Sequence, residues 1–145
     1  MAQEVAMGRI NWGRVVLCGI VAGSVYSILA VAVFFLALHE TAFWQADLAG
    51  YRRAPWAWVS NFVLNLVAGI WTMWLYAAVR PCYGPGPKTA AVAGVAAWFL
   101  IALLSVQWAS VQLIALPLRA LVVPLAVLLP LRVVASVVGA WQYKE

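Results

Sequence analysis

Four apolar stretches, each about 20 residues or longer, constrain this chain more than any other feature of its sequence. A helix of about 20 apolar residues crosses the roughly 30 Å hydrocarbon layer of a bilayer. We therefore predict transmembrane helices over residues 15–38, 56–79, 89–108 and 120–141. The fourth helix is the least regular, because it carries Pro124, Pro130 and Arg132.

The composition agrees with a membrane protein. Of the 145 residues, 67% are hydrophobic and only 9% are charged, whereas a soluble domain carries about 25% charged residues. Disorder is excluded as well, since it requires low hydrophobicity and high charge. We predict a single all-α transmembrane domain over residues 1–145, a compact four-helix bundle with an external loop at 39–55 and a cytoplasmic turn at 80–88.

The external loop allows two interpretations. If Thr41 to Gly50 were helical, its aromatic and aliphatic side chains would share one broad face, which is typical of a short helix in the membrane interface. These side chains are Phe43, Trp44, Leu48 and Tyr51. The alternative is an irregular loop, and the sequence does not decide between the two.

Basic residues outside the apolar runs predict the orientation. One side holds Arg9, Arg14, Arg80, Lys88 and Lys144, and the other holds Arg52, Arg53 and Arg119. The larger group is expected in the cytoplasm, so both termini should be cytoplasmic. The net charge of +5 therefore indicates topology and contact with anionic lipid rather than binding to nucleic acid.

Arg132 is the one charged residue that orientation does not explain. It lies about 13 Å along the helix axis from Trp141, near the middle of the membrane. Four polar residues of the first two helices are expected at a similar depth, namely Ser24, Ser27, Asn61 and Asn65. This layer is either a cavity that binds an anionic or polar ligand, or an arrangement that satisfies the guanidinium structurally.

Small residues recur four apart in the first helix, at Gly19, Gly23 and Ser27. In lipid, helices associate largely through close approach over small residues. The stripe therefore predicts either packing inside the bundle, which we favour, or a dimerisation face.

The spans lack the groups that most membrane chemistry uses. They contain no Asp, Glu or His, so neither a proton-carrying carboxylate nor axial imidazoles for haem are present within them. The single histidine, His39, has no serine–acid partners in a recognisable pattern, and its spacing to Glu40 and Asp47 does not define a metal site. We predict no enzymatic activity, no cofactor and no metal.

Two aromatic segments resemble each other: Trp74–Tyr76 near the end of the second helix and Trp141–Tyr143 after the fourth. Two similar hairpins in the same orientation would produce this pattern, but so would interfacial aromatics by chance.

Three segments also resemble a family of small uncharacterised bacterial four-helix integral membrane proteins. They are Arg9–Arg14, Trp74–Ala90 and Gly139–Glu145. The resemblance implies a bacterial inner-membrane protein and supplies no activity. The family carries an acidic residue near the position of Arg132 and often a basic one at Cys82, so no role is carried over to these two positions.

These observations favour a non-enzymatic multi-pass inner-membrane protein that acts as an accessory or structural component. Its expected partners are the lipid bilayer and other membrane proteins or further copies of itself. The alternative is a small transporter or ligand-binding protein that uses the polar layer around Arg132.

Overall fold

Each of the four apolar stretches forms one long helix in the computed structural model, which describes residues 10–38, 40, 45, 54, 56–112 and 118–143. The helices are α1 (Trp12–Val33), α2 (Trp56–Tyr83), α3 (Pro87–Gln112) and α4 (Leu118–Gln142). A π-helical segment, Phe34–Leu38, continues α1. All four are long and apolar enough to cross a membrane, which confirms the predicted class, an all-α transmembrane bundle. The proposed interfacial helix at Thr41–Gly50 lies outside the described residues, except for Gln45.

Local residue chemistry explains where the helices begin and end. α1 begins at Trp12 because the Asn11 side chain accepts a hydrogen bond from the backbone N–H of Arg14 at 3.2 Å, as an N-cap does. α2 runs on to Tyr83 and stops at Gly84, whose φ of 78° is costly for other residues. α3 begins at once with Pro87, a favoured first helical residue. The turn between α2 and α3 is therefore shorter than the predicted 80–88.

The helices form a ring in which α1 packs against α2 and α4, while α3 packs against α4 and α2. Neighbouring helices run antiparallel. One end of the bundle, here called the terminal end, therefore holds the start of α1, the turn between α2 and α3, and the end of α4. The two similar aromatic segments meet there, because the rings of Tyr76 and Tyr143 pack edge to face with centroids 5.9 Å apart.

Glycines allow α1 and α2 to approach closely. A Cβ atom added to Gly23 would lie 2.6 Å from the backbone oxygen of Asn65 and 2.7 Å from Cα of Leu66. A Cβ added to Gly69 would lie 2.6 Å from the backbone nitrogen of Gly23, and Gly19 meets the backbone of Ile70 in the same way. Gly19 and Gly23 of the small-residue stripe therefore lie in an interface inside the chain, and Ser27 is buried. These contacts give no support to dimerisation over the same surface.

The second pair of helices is joined by polar contacts as well as by small residues. The hydroxyl of Ser136 on α4 lies 2.9 Å from the carbonyl oxygen of Ala90 on α3. Further along, the indole N–H of Trp98 donates to the carbonyl oxygen of Leu125 at 3.1 Å. The Ser136 hydroxyl also lies 2.8 Å from the carbonyl oxygen of Val133 in its own helix, so its one proton is shared between an intrahelical and an interhelical acceptor. In a membrane, interhelical bonds add to van der Waals packing as a source of helix association.

The core lies in the half of the bundle nearest the terminal end. It consists mainly of small and medium side chains with two tyrosines: Val15, Cys18, Ala22, Met73, Tyr76, Ala77, Ala90, Ala93, Ala140 and Tyr143. Large apolar side chains, such as Leu17, Leu64 and Phe99, are exposed on the outside of the helices. Water would penalise such a surface, whereas hydrocarbon solvates it.

Candidate functional site

The buried arginine of α4 meets a tyrosine of α1. Arg132 is only 4% exposed, and its guanidinium carbon lies 3.6 Å from the centroid of the Tyr26 ring. The two side chains meet because α1 and α4 are neighbours and both residues lie deep in their helices. The guanidinium is therefore held against the negative face of an aromatic ring by a cation–π interaction.

The contact with Tyr26 offsets part of the free-energy cost of placing Arg132 in a membrane. Placing an arginine at the centre of a membrane helix costs about 2.5–3.5 kcal/mol on an insertion scale. A desolvated cation–π contact returns about 2 kcal/mol or more. The Tyr26 ring therefore offsets much of the insertion cost of Arg132, and the contact has an evident structural role.

Tyr26 was not singled out from the sequence, although its position deep within the first span indicated a buried polar contact. Tyrosine is enriched at membrane interfaces, yet Tyr26 lies 14 residues after Trp12, or about 21 Å along the helix axis. A tyrosine at that depth needs a polar partner for its ring or its hydroxyl. Its expected depth differs from that of Arg132 by about 8 Å, so depth alone did not suggest the pair.

The two asparagines of α2 form a pair within their own helix. The side-chain nitrogen of Asn65 donates to Oδ1 of Asn61 at 3.0 Å. Asn65 is half-buried and Asn61 is exposed on the outside of α2. Among the described residues, the structure records no hydrogen bond between either asparagine and Arg132.

The serines of α1 also lie near this depth. Ser24 is half-buried, whereas Ser27 is 8% exposed and its hydroxyl has no hydrogen-bond partner in the described part of the chain. A buried hydroxyl without a partner costs about 1–3 kcal/mol. The structure thus brings Arg132 to α1, but the contact that it records there is with the Tyr26 ring.

A second polar feature lies at the terminal end, where the sequence predicted a cytoplasmic turn. A cavity of about 400 Å³ opens there between the end of α2, the turn and the end of α4. Its lining residues are Tyr76, Arg80, Pro85, Gly86, Pro87, Val137, Ala140, Trp141 and Tyr143. Arg80 is the one charged residue among the described residues that line it.

Three polar groups lie in the wall of the cavity, and two of them contact tyrosine side chains. The guanidinium carbon of Arg80 lies 5.6 Å from the centroid of the Tyr143 ring. The N–H of Gly86 is directed at the Tyr76 hydroxyl, with a long N···O distance of 3.4 Å. Tyr143 is 4% exposed, and within the described residues its hydroxyl has no hydrogen-bond partner. This orphaned hydroxyl is the clearest unexplained polar group at this end.

The structure describes only one of the three loop residues that could have ligated a metal. Glu40 is exposed, while His39 and Asp47 lie outside the described residues. No group of three or more His, Cys, Asp or Glu side chains occurs within the described ranges. The two cysteines are separate, with Cys18 buried in α1 and Cys82 exposed near the end of α2.

The fold defines the class of this chain as a multi-pass α-helical membrane protein. Comparisons with models of protein families, with curated proteins and with solved structures find no match to it.

Proposed function

We propose that the chain is a non-enzymatic accessory component of a membrane, which works by associating with other membrane-spanning helices. The observation that carries this proposal is the Asn61–Asn65 pair on α2. Asn61 is exposed within a span and lies three residues beyond Trp58, or about 4.5 Å further into the membrane along the helix axis.

The amide groups of this pair are not fully used. The hydrogen bond from Asn65 to Asn61 occupies one donor of the first residue and one acceptor site of the second. Each side-chain amide has two donors and an acceptor oxygen, and the described chain records no further partner for the side-chain nitrogen of Asn61. Hydrocarbon cannot supply one, so a polar group on a partner helix would be stabilising.

The bacterial inner membrane is the proposed location, with both termini in the cytoplasm. Support comes from the excess of basic residues on the terminal side and from the resemblance to small bacterial four-helix proteins. The lack of acidic or histidine side chains in the spans favours a role without catalysis or proton transport.

The alternative, a small transporter or ligand-binding protein, requires that a ligand reach Arg132. The 4% exposure of this residue and its stacking on Tyr26 favour the structural role instead. Arg132 also does not line the cavity at the terminal end.

The proposal is tested by extracting the protein from membranes in a mild detergent and measuring the mass of the particle. The wild type should run as a discrete assembly larger than a monomer. Asn61→Leu should weaken this assembly about threefold to thirtyfold, which corresponds to the roughly 0.6–2 kcal/mol of an interhelical hydrogen bond. Val59→Leu, at an exposed apolar position of the same helix, should have no effect.

Two results would count against the proposal. One is a wild-type particle that is a partner-free monomer under every mild condition. The other is an Asn61→Leu particle that is assembled as fully as the wild type. Thermal unfolding of each variant separates a loss of association from a loss of folding.

A further inference from the structure

We propose that the cavity at the terminal end binds a phosphate-bearing anion, presented as the head group of a membrane lipid. Arg80 and Tyr143 both line this cavity, and the hydroxyl of Tyr143 is buried without a hydrogen-bond partner in the described chain. This inference is independent of the association proposed above, because it concerns the opposite end of the bundle from Asn61.

The donors in the cavity suit a phosphate group. A guanidinium binds phosphate oxygens through charge-assisted and often bidentate hydrogen bonds. A tyrosine hydroxyl can donate one more bond to the same anion. Because the Tyr143 hydroxyl lacks an acceptor among the described residues, a phosphate oxygen would satisfy a group that the chain itself leaves unsatisfied.

The cavity is also shaped by rigid parts of the chain. Pro85 and Pro87 restrict the turn that forms one wall. The edge-to-face packing of Tyr76 on Tyr143 sets the position of the second wall. The volume of about 400 Å³ falls within the range of about 300–1,000 Å³ found for small-molecule sites.

The position of the cavity favours a lipid as the source of the phosphate. Arg80 lies near the end of α2, at the membrane boundary expected for basic residues. The remaining wall is apolar, from Val137 and Ala140 to Trp141, whose side chain is 81% exposed. A head group at Arg80 would therefore leave its acyl chains along an apolar surface, as in basic pockets between helices that hold anionic lipids.

The other basic residues of the terminal end also favour an anionic lipid. Arg14, at the start of α1, and Lys88, at the start of α3, are both exposed at this end. Neither lines the cavity. They would attract anionic lipid to the surface in general, whereas Arg80 would hold one head group in place.

The experiment uses the full chain in detergent, with added lipid measured by native mass spectrometry and by the shift in Tm. Phosphatidylglycerol should bind at least tenfold more tightly than phosphatidylcholine. Arg80→Gln should abolish this preference, whereas Arg14→Gln, which removes a charge at the same end, should change it less than twofold. A third measurement with inorganic phosphate shows whether the bound phosphate must belong to a lipid. A rise in Tm with the lipid alone supports a head-group site. An equal rise in Tm with free phosphate indicates a soluble ligand instead of a lipid.

A second variant keeps the test valid if Arg80→Gln fails to fold. Tyr143→Phe removes only the orphaned hydroxyl, so without lipid it should be at least as stable as the wild type. With phosphatidylglycerol it should bind about tenfold more weakly, because one hydrogen bond to the charged group is missing. Equal binding of the two lipids, or Tyr143→Phe binding phosphatidylglycerol as tightly as the wild type, would overturn the proposal.

Discussion

The contact between Tyr26 and Arg132 gives the sharpest energetic prediction. At 3.6 Å from the ring centroid, and with the arginine 4% exposed, the guanidinium is desolvated, so the coupling should be about 2 kcal/mol. This energy corresponds to about a thirtyfold change in the unfolding equilibrium. Tyr26→Leu should cost this energy in the wild type but not after Arg132→Leu, because the second change removes the cation that the ring stabilises.

The coupling is measured by a double-mutant cycle on the free energy of unfolding in micelles. Tyr26→Phe is the control, since it keeps the ring and removes only the hydroxyl. We expect this variant to retain most of the coupling. Additive effects of the two leucine substitutions within about 0.5 kcal/mol would refute the reasoning. A Tyr26→Phe variant as unstable as Tyr26→Leu would show instead that the hydroxyl, and not the ring face, stabilises the arginine.

Two further predictions concern helix packing. Gly69→Val should lower the free energy of unfolding by about 1–3 kcal/mol, because a Cβ would meet the α1 backbone. Gly13→Ala is the control, because its Cβ would lie 3.5 Å from its nearest neighbour. This variant should change the free energy of unfolding by less than about 0.5 kcal/mol. Alanine at the two buried serines should affect the free energy of unfolding differently. Ser27→Ala should leave it unchanged or raise it, because the Ser27 hydroxyl has no partner in the described chain. Ser136→Ala should lower it by about 0.6–1.7 kcal/mol, because the bond to α3 is lost. The same change in Tm for Gly69→Val as for Gly13→Ala, or for Ser27→Ala as for Ser136→Ala, would contradict these predictions.

Much of the fold could be predicted from the sequence, because length and hydrophobicity decide which segments can cross a bilayer. The ends of the helices were harder, since they depend on local chemistry rather than on hydrophobicity. The Asn11 cap starts α1 three residues before the predicted position, and α2 continues past Arg80 to Tyr83, where the positive φ of Gly84 ends it.

The site was less predictable, because depth along a helix does not specify which face a residue presents. The depths of Asn65 and Arg132 placed them in one layer, yet the structure records the asparagine bonded to Asn61 and the arginine stacked on Tyr26. The cavity at the terminal end depends on residues far apart in sequence, such as Arg80 and Tyr143, that only the assembled bundle brings together.

The most direct test of the proposed accessory role is site-specific photo-crosslinking in native membranes. A photoreactive residue at Leu64, which is 64% exposed and lies on the same face of α2 as Asn61, should give a discrete protein adduct. The same residue at Val59, which is 66% exposed and lies on almost the opposite side of the helix, should give mainly lipid adducts. The adduct should fall by about threefold or more when an excess of unlabelled wild-type chain competes, and Asn61→Leu chain should compete less well. Lipid adducts alone at both positions would contradict association through the asparagine face of α2.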